Sequence, residues 1–179
     1  MERNQNNNSE FISIIVPAYK QEKTIEKDLL RIKNVMDKVR YNYEIIIVVD
    51  GYLDKTLDHA KNVKSSKIIV AGYAHTHGKG NAVRFGMAKA KGEIIAFIDS
   101  GMDINPNGLS MLLEHFEWHK ADIVVGSKLH PASRVNYPLQ RKIFSLGYRI
   151  LVKALFWFFL QGTRLQLCRL LRVLAAGFF

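Results

Sequence analysis

Five short apolar segments alternate with segments whose apolar residues have helical spacing, and this alternation constrains the fold more than any other feature. The apolar segments are rich in Ile and Val without a polar residue at every second position: FISIIVPAY, YEIIIVVD, KIIVAG, EIIAFID and ADIVVGS. Strands that are apolar on both sides are typical of a parallel sheet buried between two layers of helices. The sequence therefore predicts an α/β fold with a Rossmann-like, mostly parallel sheet and helices on both faces.

The segments between these strands predict four helices: KTIEKDLLRIKNVMDKV, LDKTLDHAKNVK, KGNAVRFGMAKAK and NGLSMLLEHFEWHK, the last with Asn107 as N-cap. Residues 1–10 are polar and rich in Asn, which predicts a disordered tail. Residues 11–137 hold the whole alternating pattern and predict one globular domain. Residues 138–179 turn basic and aromatic, and we expect a helical segment that faces an acceptor or a membrane interface.

Nearly all of the net positive charge of the chain comes from its last third. No Asp or Glu follows Asp122, whereas nine cations do: Lys128, Arg134, Arg141, Lys142, Arg149, Lys153, Arg164, Arg169 and Arg172. Such a segment suits a phosphate-rich partner, either an anionic membrane surface or a nucleic acid. We expect no nucleic acid, because the cations are mixed with the apolar run ALFWFFL and no recognition helix or RNP-type motif occurs.

Cysteine content and hydropathy indicate the compartment. The single Cys168 excludes an intramolecular disulfide and fits a reducing environment. The polar start lacks the apolar region of a signal peptide, and no run reaches the roughly 18 apolar residues of a spanning helix. We expect a cytoplasmic chain that lies peripherally on the cytoplasmic face of a membrane.

Polar side chains follow the predicted strands at the edge where such sheets bind ligands. They include Asp50, Lys79, Asp99, Asp103 and Lys128. Asp99 and Asp103 offer oxygen ligands suited to Mg²⁺ or Mn²⁺, although a strand end followed by a turn explains the pair equally well. Asp50 precedes Gly51, which predicts either a tight turn or an acceptor for a base or sugar hydroxyl.

The loop after the third strand, HTHGKGNA, has two interpretations as well. Its glycines, its cation and the start of a helix form a phosphate cradle, while a Gly-Lys-Gly sequence is also common in solvated loops. The chain contains neither a Walker motif nor GxGxxG. His75 and His77 lack partners at metal-ligand spacing, so we expect exposed loop histidines.

Taken together, SIIVPAYKQEKTI, YEIIIVVDGYLDKT, GKGNAVRFGMAKAKGEIIAFIDSGMDINP and ADIVVGSK resemble the family 2 glycosyltransferases of GT-A fold. Within that family the chain is most similar to the dolichyl-phosphate and polyprenyl-phosphate sugar synthases. The resemblance covers roughly residues 11–160 as an ordered series of motifs. It implies transfer of a sugar, with inversion, from a UDP- or GDP-linked donor to a polyprenyl phosphate at a membrane surface.

The resemblance also implies a role for each matching residue. Pro17, Tyr19 and Glu22 would line the donor nucleotide, Asp50 would contact its base, and Lys79 and Gly80 would lie beside the donor. Asp99 and Asp103 would hold Mg²⁺ or Mn²⁺. Lys128 would face phosphate charge, and Arg134, Arg141 and Ser145 would approach the acceptor phosphate. Because a lipid phosphate is already an anionic nucleophile, the resemblance implies that catalysis depends mainly on a metal and a few cations that neutralise the leaving nucleoside diphosphate, with Asp99, Asp103, Lys128 and Arg141 as the catalytic residues.

The chain departs from the family pattern at three points. The acidic motif Asp-x-Asp has Gly101 at its second acidic position, with Asp103 as the next acid, and Tyr52 replaces a small residue after Asp50–Gly51. The end, QGTRLQLCRLLRVLAAGFF, lacks the family's acidic-glycine motif. It predicts either a basic amphipathic membrane helix or, as we favour, a truncated or frameshifted terminus. The alternative functions are a donor-binding domain without turnover and a glycosyltransferase with a non-lipid acceptor.

Overall fold

The computed structural model describes residues 10–101, 105–126, 147–148 and 172–176. The chain divides into two compact units, one of residues 1–127 with 171–179 and one of residues 128–170. The ten elements named below belong to the first unit. In the second, the described residues are Gly147 and Tyr148, which are helical and exposed.

Strands and helices alternate along the first unit, as predicted. In chain order they are β1 (Phe11–Ala18), α1 (Ile25–Met36), β2 (Asn42–Asp50), α2 (Thr56–Asn62), β3 (Ile68–Tyr73), α3 (Lys79–Met87), β4 (Ile94–Ile98), α4 (Asn107–His119), β5 (Ile123–Gly126) and β6 (Arg172–Ala176). The six strands form one sheet in the order β3-β2-β1-β4-β6-β5, and each neighbouring pair is parallel. The predicted α/β class is confirmed.

Helices cover both faces of this sheet because neighbouring residues of each strand point to opposite sides. On one face, Ile12 and Ile14 of β1 and their neighbours pack against the buried sides of α1, α2 and α4. On the other face, Ile15, Ile46 and Val48 pack against Ala82 of α3. β1 and β2 are buried along nearly their whole length, which explains why their sequences lack alternation.

Two details differ from the sequence expectations. Residues 172–176 form a strand, so the interpretation of this stretch as an amphipathic helix is wrong. Its backbone pairs with β4 on one side and β5 on the other, and would otherwise leave both edges unpaired. Asn107 is the first residue of α4 rather than its N-cap, which is Pro106. The side chain of Asn105 instead accepts the Asn107 N–H at 3.1 Å.

Candidate functional site

An open cavity lies at the carboxyl ends of β1, β2 and β4. Its volume is about 430 Å³, within the range of small-molecule sites. It is lined by Pro17, Ala18, Tyr19, Gln21, Asp50, Thr76, Gly78, Lys79, Ala82, Asp99 and Ser100. The parallel strands bring these residues together, since all three strands end at the same edge of the sheet. Five of the predicted site residues, Pro17, Tyr19, Asp50, Lys79 and Asp99, are among them.

Asp50 ends β2 and fixes the loop before α3. Its Oδ1 accepts the His77 N–H at 2.8 Å, and its Oδ2 accepts the Gly78 N–H at 3.0 Å. The side chain is 3% exposed. Asp50 therefore holds the backbone that begins α3 while it also contributes to the cavity wall.

Tyr73 supports the same loop from the end of β3. Its ring lies 5.2 Å from that of His77 and 5.4 Å from that of Phe85, measured between centroids. Burial raises the pKa of the Tyr73 phenol above its ordinary value. His75 and His77 are exposed, as expected of loop histidines.

Lys79 and Asp99 form an ion pair across the cavity. Lys79 Nζ lies 2.7 Å from Oδ1 and 2.8 Å from Oδ2 of Asp99. The contact with Oδ2 has hydrogen-bond geometry, whereas the buried Oδ1 makes the ion pair without a hydrogen bond. Lys79 is the first residue of α3, and Asp99 follows the end of β4. The ion pair therefore connects the loop that Asp50 holds with the acidic tip, the segment Asp99–Gly101 after β4.

Three successive residues of the acidic tip, Asp99, Ser100 and Gly101, are each tied to a different element. Asp99 pairs with Lys79 of α3, and Ser100 Oγ donates to the carbonyl oxygen of Pro17 in β1 at 2.9 Å. The Gly101 N–H donates to Oδ2 of Asp28 in α1 at 2.8 Å. Gly101 has a φ of +97°, a conformation that favours glycine and explains why no acid stands here.

The remaining predicted residues lie elsewhere. Glu22 is not on the cavity wall, and its Oε2 instead accepts the Lys55 N–H at 3.2 Å. Gly80 lies in the first turn of α3, beside Lys79. Five predicted residues lie outside the described part of the chain: Asp103, Lys128, Arg134, Arg141 and Ser145. Their roles stay predictions.

Sequence reasoning missed four residues with polar side chains at the site. Gln21, Thr76 and Ser100 line the cavity, and Asp28 holds the tip from behind. Gln21 follows β1 closely enough to be included among its strand-end residues. Asp28 carried a different signal, since it is a polar residue on the apolar side of α1.

The arrangement of Asp99 fits a first ligand for a divalent cation. It is a carboxylate at the cavity wall with one buried oxygen that makes no hydrogen bond, and Mg²⁺ and Mn²⁺ prefer oxygen ligands. Within the described ranges, no three His, Cys, Asp or Glu side chains cluster as a metal site. Such a cation would need further ligands, as Mg²⁺ sites with one or two carboxylates obtain from substrate phosphates.

The chain matches the sequence profile named Glycosyl transferase family 2 over residues 13–173. It belongs to this family. The match covers all strands except the first two residues of β1 and the last residues of β6, and so includes the whole cavity wall.

The chain is similar in sequence to two relatives with known names. It is 31% identical over 160 residues to a dolichyl-phosphate beta-glucosyltransferase of Trichomonas vaginalis, an alignment that covers 79% of this chain and 47% of the relative. It is 32% identical over 139 residues to the dolichol-phosphate mannosyltransferase of Pyrococcus furiosus, covering 76% of this chain and 38% of that protein. The chain thus spans less than half the length of these relatives.

The fold matches solved structures of GT-A type. One is glucosyl-3-phosphoglycerate synthase from Mycobacterium tuberculosis in complex with Mn²⁺ and UDP-glucose, at a TM-score of 0.52 and 23% identity, covering 65% of this chain and 43% of that one. This likeness confirms the predicted fold class. Among the described residues, no helix is both long enough and apolar enough to cross a bilayer.

Proposed function

We propose that this chain carries the donor-binding part of a glycosyltransferase that transfers a sugar, with inversion, from a UDP- or GDP-linked donor to a dolichyl-type polyprenyl phosphate. The main support for this proposal is the cavity, whose wall contains Asp50, Lys79 and Asp99. The two relatives, both named as enzymes that act on dolichyl or dolichol phosphate, support the acceptor.

The chemistry of the cavity suits a nucleoside diphosphate. A carboxylate and an ammonium face each other beside a helix that begins at Lys79, and both cations and helix starts favour bound phosphate. Lys79 would contact the diphosphate, and Tyr19, which is 46% exposed at the cavity edge, offers an aromatic surface to the base.

A divalent cation at Asp99, and at Asp103 if it reaches the site, would supply positive charge to the leaving diphosphate. The protein groups would orient the donor and exclude water, and the acceptor phosphate needs little help from a base. Arg134, Arg141 and Ser145 are proposed to receive that phosphate at the cytoplasmic face of the membrane, and Lys128 is proposed to face phosphate charge. Their cationic and hydroxyl groups are suitable partners for it.

Donor binding is tested by thermal melting of the chain with UDP-glucose, GDP-mannose or UDP-GlcNAc, each with and without Mn²⁺. A ligand that binds only the folded state raises the melting temperature. At a ligand concentration of a hundred times Kd, the free energy of unfolding increases by about 2.7 kcal/mol. We expect such a shift for one nucleotide class, dependent on Mn²⁺ and lost in Asp99→Asn. Asp122→Asn is the matched control, because Asp122 is exposed and lies off the cavity.

Transfer is tested with radiolabelled donor and two acceptors, dolichyl phosphate in vesicles and soluble 3-phosphoglycerate. Label in the lipid fraction alone supports the proposal. Label in the soluble product would indicate a non-lipid acceptor, and donor binding without transfer to either would indicate a binding domain without turnover. No donor-dependent shift at all would overturn the proposed donor site.

A further inference from the structure

Asp28 is a buried acid whose position the packing of its helix does not explain. It lies on α1 among Ile25, Leu29 and Ile32, residues that form the side of the helix packed against the sheet. Its side chain is 1% exposed, and Oδ1 makes no hydrogen bond within the described part of the chain. Burying a polar group without a full set of partners costs stability, so a residue of this kind calls for a specific explanation.

The contact that Asp28 makes leads to the candidate site. Oδ2 accepts the N–H of Gly101 at 2.8 Å, two residues after Asp99. Asp28 lies in the first turn of α1, where the helix dipole favours an acidic side chain. Gly101 holds a positive φ of +97°, and the hydrogen bond from its N–H to Asp28 constrains the turn that follows Asp99.

We propose that Asp28 is a positioning residue for the metal–diphosphate site. By holding Gly101, it fixes the turn that presents Asp99 to the cavity. Two other interactions hold the turn from the cavity side: the ion pair with Lys79 and the hydrogen bond to the Pro17 carbonyl. Asp28 holds the turn from the helix layer. The inference rests on the proposed function, since it assumes that Asp99 meets a metal-bound nucleotide.

Two variants of Asp28 distinguish the effect of its hydrogen bond from the effect of its packing. Asp28→Asn keeps an oxygen that can accept the Gly101 N–H, and Asp28→Ala removes it. Gly101 is half-buried, so water can replace the lost acceptor, and we expect Asp28→Ala to fold. The turn should then be less constrained.

The first measurement is hydrogen exchange of the Gly101 amide in the ligand-free chain. Asp28→Ala should exchange faster than the wild type by about fivefold or more, the factor expected for one lost hydrogen bond, and Asp28→Asn should stay within about twofold. Equal exchange in Asp28→Ala and the wild type would overturn the proposed tie. This readout does not depend on any ligand.

The second measurement is binding of UDP and of GDP in the presence of Mn²⁺ by calorimetry. For the nucleotide that the wild type binds, Asp28→Ala should raise Kd about fivefold or more, and Asp28→Asn should restore it to within about twofold. Unchanged affinity in Asp28→Ala would refute the positioning role and leave the proposed function intact. Absence of binding in the wild type would refute the proposed function, and the positioning role with it.

Glu44→Ala is the matched control for a buried acid. Glu44 accepts hydrogen bonds from Ser13 Oγ at 2.6 Å and the Lys91 N–H at 2.8 Å, at the end of β1 and β2 opposite the cavity. It should lower the melting temperature without changing the nucleotide Kd of the folded fraction. If Glu44→Ala lost as much nucleotide affinity as Asp28→Ala, destabilisation of the fold alone would explain the loss in both variants.

Discussion

The ammonium group of Lys79 holds both oxygens of Asp99, the carboxylate that we assign to a divalent cation. A cation arriving at Asp99 must therefore displace or share a positive charge already present. Since Lys79 is about half-exposed, it has room to swing away toward a diphosphate. In the proposed site, the pair neutralises Asp99 before binding, and this contact would change when donor and metal bind together.

This competition predicts that Lys79→Met will bind Mn²⁺ alone more tightly than the wild type. We expect a gain of about two- to fivefold, the size of a partly exposed ion pair, measured from free Mn²⁺ by electron paramagnetic resonance. Binding of the nucleotide with Mn²⁺ should weaken in the same variant.

Lys89→Met is the charge-matched control for that experiment. Lys89 follows the end of α3, and its Nζ lies over the Phe85 ring at 4.9 Å from the centroid. It should leave Mn²⁺ affinity unchanged. Equal gains in both variants would attribute the effect to net charge rather than to Asp99.

At single positions, the sequence predicted the cavity residues that follow strands, because strand ends in a parallel sheet share one edge. Asp50, Lys79 and Asp99 were found in this way. Asp28 was not, since its role depends on the distance between a helix and a loop that are far apart in sequence. The reason for Gly101 also needed a structure, because a positive φ is a property of the backbone path.

Among the elements, α3 approaches the sheet closely at Gly86, and it carries Lys79 at its first position. The approach is made possible by Gly86, where an added Cβ would lie 2.6 Å from Cγ2 of Ile15 and 3.1 Å from Cγ2 of Val48. Neither β-branched side chain can move far, because both are fully buried within β1 and β2. The position of Lys79 therefore depends on a glycine two turns away.

Gly86→Ala should destabilise the fold by about 1–3 kcal/mol through overpacking, measured by urea denaturation. It should also weaken nucleotide binding, since α3 must shift outward. Gly80→Ala provides the comparison on the same helix, because an added Cβ there meets nothing within 4 Å. That variant should gain about 0.5–1 kcal/mol from helix propensity, and a loss equal to that of Gly86→Ala would contradict the packing argument.

The types and order of elements β1 to β5 could be predicted because each is a local pattern. α1, for example, follows from Ile25, Leu29, Ile32 and Met36 at helical spacing, although the observed helix is shorter than the predicted segment. β6 could not be predicted. Its residues are surrounded in sequence by arginines and leucines that fit a helix equally well, and only the gap between β4 and β5 selects a strand.

For the whole molecule, the continuity of the sheet depends on β6. Leu174 is paired through its backbone with Ala96 on one side and Val124 on the other. Leu174→Pro removes a donor from the middle of an interior strand and should cost about 1–3 kcal/mol for the acceptor left without a partner, seen as a lower urea midpoint. Leu174→Val keeps the N–H and the strand preference and should stay close to the wild type. Equal midpoints for the proline variant and the wild type would show that β6 does not hold β4 and β5 together.

The place of β6 has a consequence for how the chain is made. During synthesis β4 and β5 leave the ribosome well before residues 172–176, yet in the finished sheet they lie on either side of these residues. The growing chain must therefore expose two strand edges until a late segment arrives to join them. Contacts of such long sequence separation form slowly, so folding of this sheet is expected to be limited by the arrival of β6 and to benefit from chaperones that shield open edges.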